Sequence, residues 1–176
     1  KPVKCLVEPD ELYDIAIIGA PFDTSVSYRP GETLYHTELI IRSNRGKKGA
    51  RFGPRAIRAA SARQIPGTAY NTRAGINPYK SWATVKDCGD IPITPFDNAV
   101  AERQMYEAFL ELGSRPAASK PEKGAKSAKS ISAGRPKLLT LGGDHSVALP
   151  ALRALHKIYG KPITVLHFDA HLDTWN

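Results

Sequence analysis

The pattern of apolar and polar positions along the chain predicts strands that alternate with helices. Short apolar runs that end at glycine, proline or charged residues are typical of buried strands in a parallel sheet. Residues 14–21, 83–90 and 137–146 have this form, and the third of them ends in a tight Gly-Gly turn. A fourth run begins at Ile163 and leads directly into Asp169. We therefore expect four strands.

Helical periodicity lies between these runs. Residues 50–61 predict a helix that opens near Pro54, because proline is favoured at the first helical position. Residues 99–112 predict a second helix, for which Asp97 is a plausible N-cap. This helix carries large apolar side chains on one stripe: Met105, Phe109 and Leu112. A third helix follows the Gly-Gly turn and ends at Gly160.

This alternation predicts an α/β fold, with three α/β/α layers and a mostly parallel sheet. A chain of 176 residues with 41% hydrophobic residues is of the size and composition of one globular domain. We expect residues 1–176 to form a single domain. No apolar run approaches the roughly 20 residues that a membrane span requires, so no membrane association is expected.

The net charge of +8 is concentrated in two stretches that resemble loops. Residues 113–136 are a low-complexity basic stretch of Lys, Ser, Ala, Pro and Gly, which favours a solvated loop. Residues 32–49 have mixed charge and no sustained period, and we expect an irregular insertion there. Neither the loop nor the rest of the chain favours nucleic-acid binding, because no aromatic residues are interleaved with the lysines of 113–136 to stack on bases.

Cysteine occurs only at Cys5 and Cys88. The two thiols could pair, but two cysteines do not make a disulfide framework, and there is no CxxC pattern to indicate a zinc ribbon. We expect two reduced thiols.

The segment Asp169-Ala-His171-Leu-Asp173 is the strongest candidate for chemistry. Side chains at a spacing of two project to one side wherever the backbone is extended. Carboxylate and imidazole together suit Mn²⁺, Zn²⁺ or Fe²⁺ and do not suit Ca²⁺, which prefers oxygen ligands. On spacing alone, a polar strand end with a capping aspartate explains the segment as well.

His145 changes the balance between these two explanations. The strand 137–146, its helix and the next strand form a predicted βαβ unit with a right-handed crossover. The two strands of such a unit are parallel, so His145 and Asp169 are expected at the same edge of the sheet. An imidazole beside a carboxylate–imidazole–carboxylate set favours a metal site.

Two segments resemble motifs of the ureohydrolase (arginase/agmatinase) family: residues 142–146, Gly-Gly-Asp-His-Ser, and residues 169–173. Residues 14–24, 28–31 and 50–58 further resemble the agmatinase branch, especially its fungal members. The resemblance covers nearly the whole chain except the two basic stretches. It implies an arginase-like fold and a binuclear Mn²⁺ hydrolase that acts on a guanidinium group.

Carried over residue by residue, the resemblance implies four metal ligands. His145 would bind the first manganese, Asp169 would bridge both ions, His171 would bind the second, and Asp173 would bind the first again. Asp169 would thereby hold a metal-bridging hydroxide that attacks the guanidinium carbon, and no other catalytic residue is expected in this portion. For agmatine the products would be urea and putrescine.

Two neighbours of these ligands have other expected roles. Asp144 is expected either to orient His145 as an outer partner or to cap the following helix, and the residues leave both open. His167 matches a position that is not a ligand in the family, and we expect it to pack.

The substrate class admits alternatives. A related amidinohydrolase for arginine or guanidinobutyrate, or a truncated relative that binds metal without catalysis, would carry the same motifs. The expected partner is a small guanidinium molecule, and the full-length protein is expected to form homo-oligomers. No compartment is assigned, although the cytoplasm is the default expectation.

The chain departs from the family pattern in two places. The family's later Ser-x-Asp-x-Asp segment, with two more carboxylate ligands, has no counterpart before Asn176. We therefore expect an N-terminal portion without its C-terminal strands, with weak metal affinity, no turnover by itself and poor solubility. In the family pattern, Gly31 would be followed directly by Ala50, and residues 32–49 interrupt it. The length of this interruption would equal that of a short in-frame intron that is read as coding sequence.

Overall fold

The structure is a computed structural model that describes residues 5–24, 49–63, 65, 67–81, 83–119 and 134–170. Most of the predicted insertion at 32–49 and the middle of the basic stretch at 113–136 lie outside the described residues. His171 and Asp173 lie outside them as well.

A parallel sheet organises the described residues. Its strands are β1 (Ile15–Ala20), β2 (Val85–Asp90) and β3 (Lys137–Gly142), in the order β2-β1-β3. Both neighbours of β1 run parallel to it. The central strand is the most apolar of the three, as expected for a strand that is covered on both faces. The predicted parallel α/β sheet is confirmed.

Helices connect and cover the strands. They are α1 (Gly53–Ser61), α2 (Pro78–Ser81), α3 (Asn98–Ser114) and α4 (Ala148–Tyr159). The Asp97 carboxylate accepts a hydrogen bond from the Val100 backbone N–H at 2.9 Å and so caps α3 as predicted. Gly160 ends α4 in the left-handed conformation (φ 63°), which glycine adopts without a Cβ penalty.

The strand order places helices on both faces of the sheet. The connection from β1 to β2 and the connection from β2 to β3 run in opposite directions across the sheet. Because such crossovers are right-handed, α1 and α3 lie on opposite faces. Helix α4 packs against α3. The result is the predicted helix–sheet–helix arrangement.

The core confirms the predicted stripe of α3, since Met105, Phe109 and Leu112 are all buried. It also contains Tyr13, from a lead-in that has no sequence period. The Tyr13 hydroxyl donates a hydrogen bond to the Leu112 carbonyl oxygen at 3.0 Å. No helix in the described ranges is both long and apolar enough to cross a membrane.

The predicted fourth strand is not formed. Residues 162–169 carry no strand assignment, and the sheet of the described residues consists of β1, β2 and β3. Val165, Leu166 and Phe168 are exposed. An apolar run becomes a strand only where a sheet edge pairs with it and other layers cover it, and the described residues do not cover this run. The predicted βαβ unit that begins at β3 is therefore wrong in its second strand.

The prediction of reduced thiols is also wrong. Cys5 and Cys88 form a disulfide with a Cα–Cα distance of 5.0 Å, and both residues are buried. The bond joins a short 3-10 helix, Cys5–Val7, to β2. The two cysteines are 83 positions apart, so only the packing of the lead-in against β2 brings them together.

The predicted boundary of the basic stretch at residue 113 needs correction. Helix α3 continues through Ser114, and the following Arg115 is only 7% exposed. Its guanidinium donates to the carbonyl oxygens of Cys5 (2.8 Å) and Glu8 (3.2 Å) and forms an ion pair with Glu111 (3.1 Å). Arg115 therefore holds the N-terminal segment against α3 and does not belong to a solvated loop.

Candidate metal centre

His145 follows a tight turn at the carboxyl end of β3. The Asp144 backbone N–H in this turn donates a hydrogen bond to the Phe22 carbonyl oxygen at 2.8 Å. The turn lies so close to the loop after β1 that a Cβ on Gly143 would be 2.3 Å from that oxygen and 2.6 Å from the Ala20 oxygen. Only glycine fits this approach, which explains the second glycine of the Gly-Gly pair, Gly143, in physical terms.

Asp169 brings two histidines together. Its Oδ2 atom lies 3.3 Å from Nδ1 of His145 and 3.6 Å from Nε2 of His167. The two imidazole rings are 5.1 Å apart between centroids and are tilted by 47°. One ligand atom from each of the three residues lies within 4.8 Å of the other two.

The donor chemistry of this cluster fits a divalent metal ion. Two imidazole nitrogens and one carboxylate oxygen are the ligand types that suit Zn²⁺, Mn²⁺ or Fe²⁺. The side chains are partly open to solvent, with 47% exposure at His145 and 27% at Asp169. The same opening leaves room for water or a substrate beside the ligands.

The structure brings together two of the four predicted ligands, His145 and Asp169. The predicted roles of His171 and Asp173 stay predictions, because both lie outside the described residues. Of the two roles expected for Asp144, capping is observed, and the helix that it caps is the short 3-10 helix His145–Val147 that leads into α4. Its Oδ1 accepts hydrogen bonds from the backbone N–H of Ser146 at 3.0 Å and from the Ser146 hydroxyl at 2.5 Å.

His167 is the residue whose position the sequence did not foresee. We expected it to pack, whereas the structure places its exposed ring beside Asp169 and His145. The available signal was its spacing of two from Asp169, which puts both side chains on one side of an extended backbone. The match of His167 to a non-ligand position of the family therefore did not predict whether its ring is packed in the core or lies beside Asp169.

Ligand-type side chains just beyond a parallel sheet are characteristic of α/β enzymes, which place their sites at the carboxyl ends of strands. A family model described as the arginase family matches residues 38–176. The chain therefore belongs to the arginase family, as its motifs predicted. This family is in general metal-dependent.

Relatives and solved structures agree with this assignment. "Putative agmatinase 3" of Schizosaccharomyces pombe is 44% identical over 175 residues, which cover 98% of this chain and 38% of that protein. The guanidinobutyrase of Pseudomonas aeruginosa is 34% identical over 163 residues, which cover 91% of this chain and 37% of that protein. A crystal structure titled as a hypothetical agmatinase from Burkholderia thailandensis matches with a TM-score of 0.65 and 27% identity, over 96% of this chain and 40% of that one. The chain thus spans well under half the length of these relatives.

Proposed function

We propose that this chain forms part of a metal-dependent amidinohydrolase that cleaves a guanidinium substrate, and that the substrate is agmatine. The products would be urea and putrescine. The observation that carries the proposal is the contact of Asp169 Oδ2 with His145 Nδ1 at 3.3 Å, beside His167, in a member of the arginase family.

The proposed metal is Mn²⁺, with two ions in the complete site. His145 and Asp169 would hold metal, and His171 and Asp173 would complete the ligands that this chain contributes. When bound, two such cations lower the pKa of water and so provide a nucleophile near neutral pH. The cluster's exposed imidazoles and carboxylate have the nitrogen and oxygen donors that this role requires.

The residues of this chain fix the position of His145 and provide negative charge at Asp169. The turn after β3 holds His145 at the carboxyl end of a strand, where its backbone is fixed by the hydrogen bond between Asp144 N–H and Phe22. The negative charge of Asp169 attracts cations, including a guanidinium group that approaches the open side of the cluster. Asp144 keeps the turn in place by accepting the Ser146 N–H.

Agmatine is preferred as the substrate because the relative with 44% identity is named "Putative agmatinase 3". Guanidinobutyrate is the second candidate, since a guanidinobutyrase is 34% identical to this chain. Both substrates present the same guanidinium group and differ at the opposite end, which carries an amine in agmatine and a carboxylate in guanidinobutyrate. We expect residues 1–176 alone to bind metal weakly and to give no turnover, because the two later carboxylate ligands of the family motif are not among them.

Urea release tests this proposal. The protein encoded by the full transcript should release urea from agmatine in the presence of Mn²⁺. Asp169→Asn should lower the rate by at least about 100-fold, because a neutral amide is a poor metal ligand and outer-shell changes alone cost 10–100-fold. Asp10→Asn, at an exposed aspartate outside the cluster, is the matched control and should leave the rate unchanged.

Two results would count against it. Urea release that survives Asp169→Asn would remove the carboxylate from the mechanism. Activity on guanidinobutyrate with none on agmatine would support the proposed reaction class but would show that agmatine is not the substrate. Removal of metal with a chelator, followed by addition of Mn²⁺, Zn²⁺ or Fe²⁺ singly, identifies the ion that restores the rate.

A further inference from the structure

We propose that Asp23 and Arg51 are positioning residues for His145. Their ion pair fixes the loop after β1, and this loop holds the turn on which His145 is placed. The inference rests on the proposed metal site for its functional meaning, but the contacts that carry it do not depend on a bound metal.

The ion pair is buried on the side of the carboxylate. Asp23 is 1% exposed, and its Oδ1 atom accepts from Arg51 Nε at 2.9 Å and from a terminal guanidinium nitrogen at 2.7 Å. The Arg51 backbone N–H lies 3.4 Å from the other carboxylate oxygen. Charge-assisted bonds of this kind are the strong ones, and a buried charge that loses its partner is strongly destabilising.

Phe22, the residue before Asp23, connects the ion pair to the turn that precedes His145. The Phe22 carbonyl oxygen accepts the Asp144 N–H at 2.8 Å, and Asp144 immediately precedes His145. Within the same loop, the Phe22 N–H donates to the Ala20 oxygen at 2.9 Å. Any shift of Asp23 therefore moves the acceptor that fixes the turn.

The residues that follow Arg51 contact the same turn. A Cβ on Gly53, the first residue of α1, would lie 2.4 Å from the Gly142 oxygen. Segments that approach this closely transmit displacement, because packed interiors have low compressibility. Arg51 thus joins the two segments that enclose the turn, the loop after β1 and the start of α1.

A second arginine on α1 offers a matched comparison. Arg58 binds the Asp87 carboxylate through Nε at 2.8 Å and through a terminal nitrogen at 2.9 Å. It has a similar side-chain exposure, 22% against 28% for Arg51. In the described part of the chain, the hydrogen bonds of the Arg58 side chain all go to β2, at Asp87, Gly89 and Asp90. A change at Arg58 therefore tests the effect of lost stability alone, without a change at the turn that carries His145.

The test uses the protein encoded by the full transcript, free of metal and labelled with ¹⁵N, and measures hydrogen exchange at the Asp144 amide. Arg51→Gln should accelerate exchange of this amide by about tenfold or more, because the acceptor at Phe22 is released. Arg58→Gln should leave it unchanged, although it lowers the free energy of unfolding. Arg51→Lys, which keeps the charge but loses the planar fork, should recover part of the protection.

A double variant covers the case in which a single change prevents folding. Asp23→Asn with Arg51→Gln leaves no unpaired buried charge and should still lose protection at Asp144. Titration with Mn²⁺ alone gives the functional readout, in which Arg51→Gln should weaken binding about tenfold and Arg58→Gln should not.

Normal protection of Asp144 in Arg51→Gln or in the double variant would overturn the inference, as would an equal loss of protection in Arg58→Gln. If the unaltered protein encoded by the full transcript binds no Mn²⁺, the proposed metal site fails. The exchange measurement then still decides whether Asp23 and Arg51 position the turn.

Discussion

At the scale of single residues, Tyr13 illustrates how much the local pattern omits. Its ring is buried, and its hydroxyl donates to the Leu112 carbonyl oxygen. Burial raises the pKa of Tyr13 to about 12, against the opposing influence of the Arg115 charge. The phenol is held in its neutral form because the ionised form would lie in a poorly solvated interior.

This shift predicts that stability falls in alkali. The pKa of Tyr13 in the folded state lies above its value near 10 in the unfolded state. The contribution of the neutral phenol to the free energy of unfolding is therefore complete below about pH 10 and is lost as the pH rises towards 12. Within that window, Tyr13 should lower the free energy of unfolding by about 1.4 kcal/mol per pH unit. Denaturant unfolding at pH 9 to 12 measures the slope. Tyr13→Phe should remove this component, whereas the exposed Tyr79→Phe should keep it, and identical slopes in all three proteins would contradict the assignment.

The residues of the candidate site were partly predictable. His145 and Asp169 belong to two motifs of the family, and the two motifs together predicted metal binding, although the spacing of the Asp169 segment alone did not. Arg115 was assigned to a basic loop and is instead buried, since nothing in the flanking residues indicates that three carbonyl oxygens converge on it. Asp23 and Arg51 lay in stretches that resembled the family but received no role, because their partnership spans two separate segments.

At the scale of elements, the sequence patterns of neighbouring residues predicted the strands and the helix ends that local interactions determine. The apolar runs gave β1, β2 and β3, and the capping aspartate and terminal glycine located the ends of α3 and α4. The run after Ile163 has the same composition as a strand but forms none in the described residues. Pairing with a neighbouring edge, and not composition, determines whether such a run joins a sheet.

The Cys5–Cys88 disulfide ties the first described element to β2, and its loss should destabilise the fold. Closing a chain separation of 83 residues restricts the unfolded state, which corresponds to about 4.5 kcal/mol of stability in the chain-entropy model. Denaturant unfolding of Cys5→Ser, Cys88→Ser and the double variant should give three similar losses, because each removes the same bond.

Reductant provides the internal control for this prediction. It should lower the stability of the unaltered chain to that of the double variant and leave the double variant unchanged. Titration of two free thiols in the unreduced, denatured protein would show that the disulfide does not form.

At the scale of the whole molecule, the run at 163–168 exposes large apolar side chains. Leu166 is 81% exposed and Phe168 is 87% exposed. Exposed apolar surface of this kind promotes association. The poor solubility expected from the sequence stays a prediction.

We therefore predict that Leu166→Ser reduces self-association without loss of stability. Light scattering at increasing protein concentration should fall, because the substitution removes apolar surface that makes no core contact. Phe96→Ser, at an even more exposed position in the loop before α3, is the control for general hydrophobicity and should have a smaller effect. Equal effects of both substitutions, or none, would remove the special role of this run.

The sequence by itself determined the α/β class, the order of the main strands and helices, the caps, the family and two residues of the candidate centre. These follow from periodicity, turn chemistry and residue type, which act over a few neighbouring positions. Only the tertiary structure decided the disulfide, the burial of Tyr13 and Arg115, the place of His167 and the Asp23–Arg51 pair behind His145. Each of these depends on contacts between segments that are distant in the chain or on whether a segment is covered, and no local pattern encodes either.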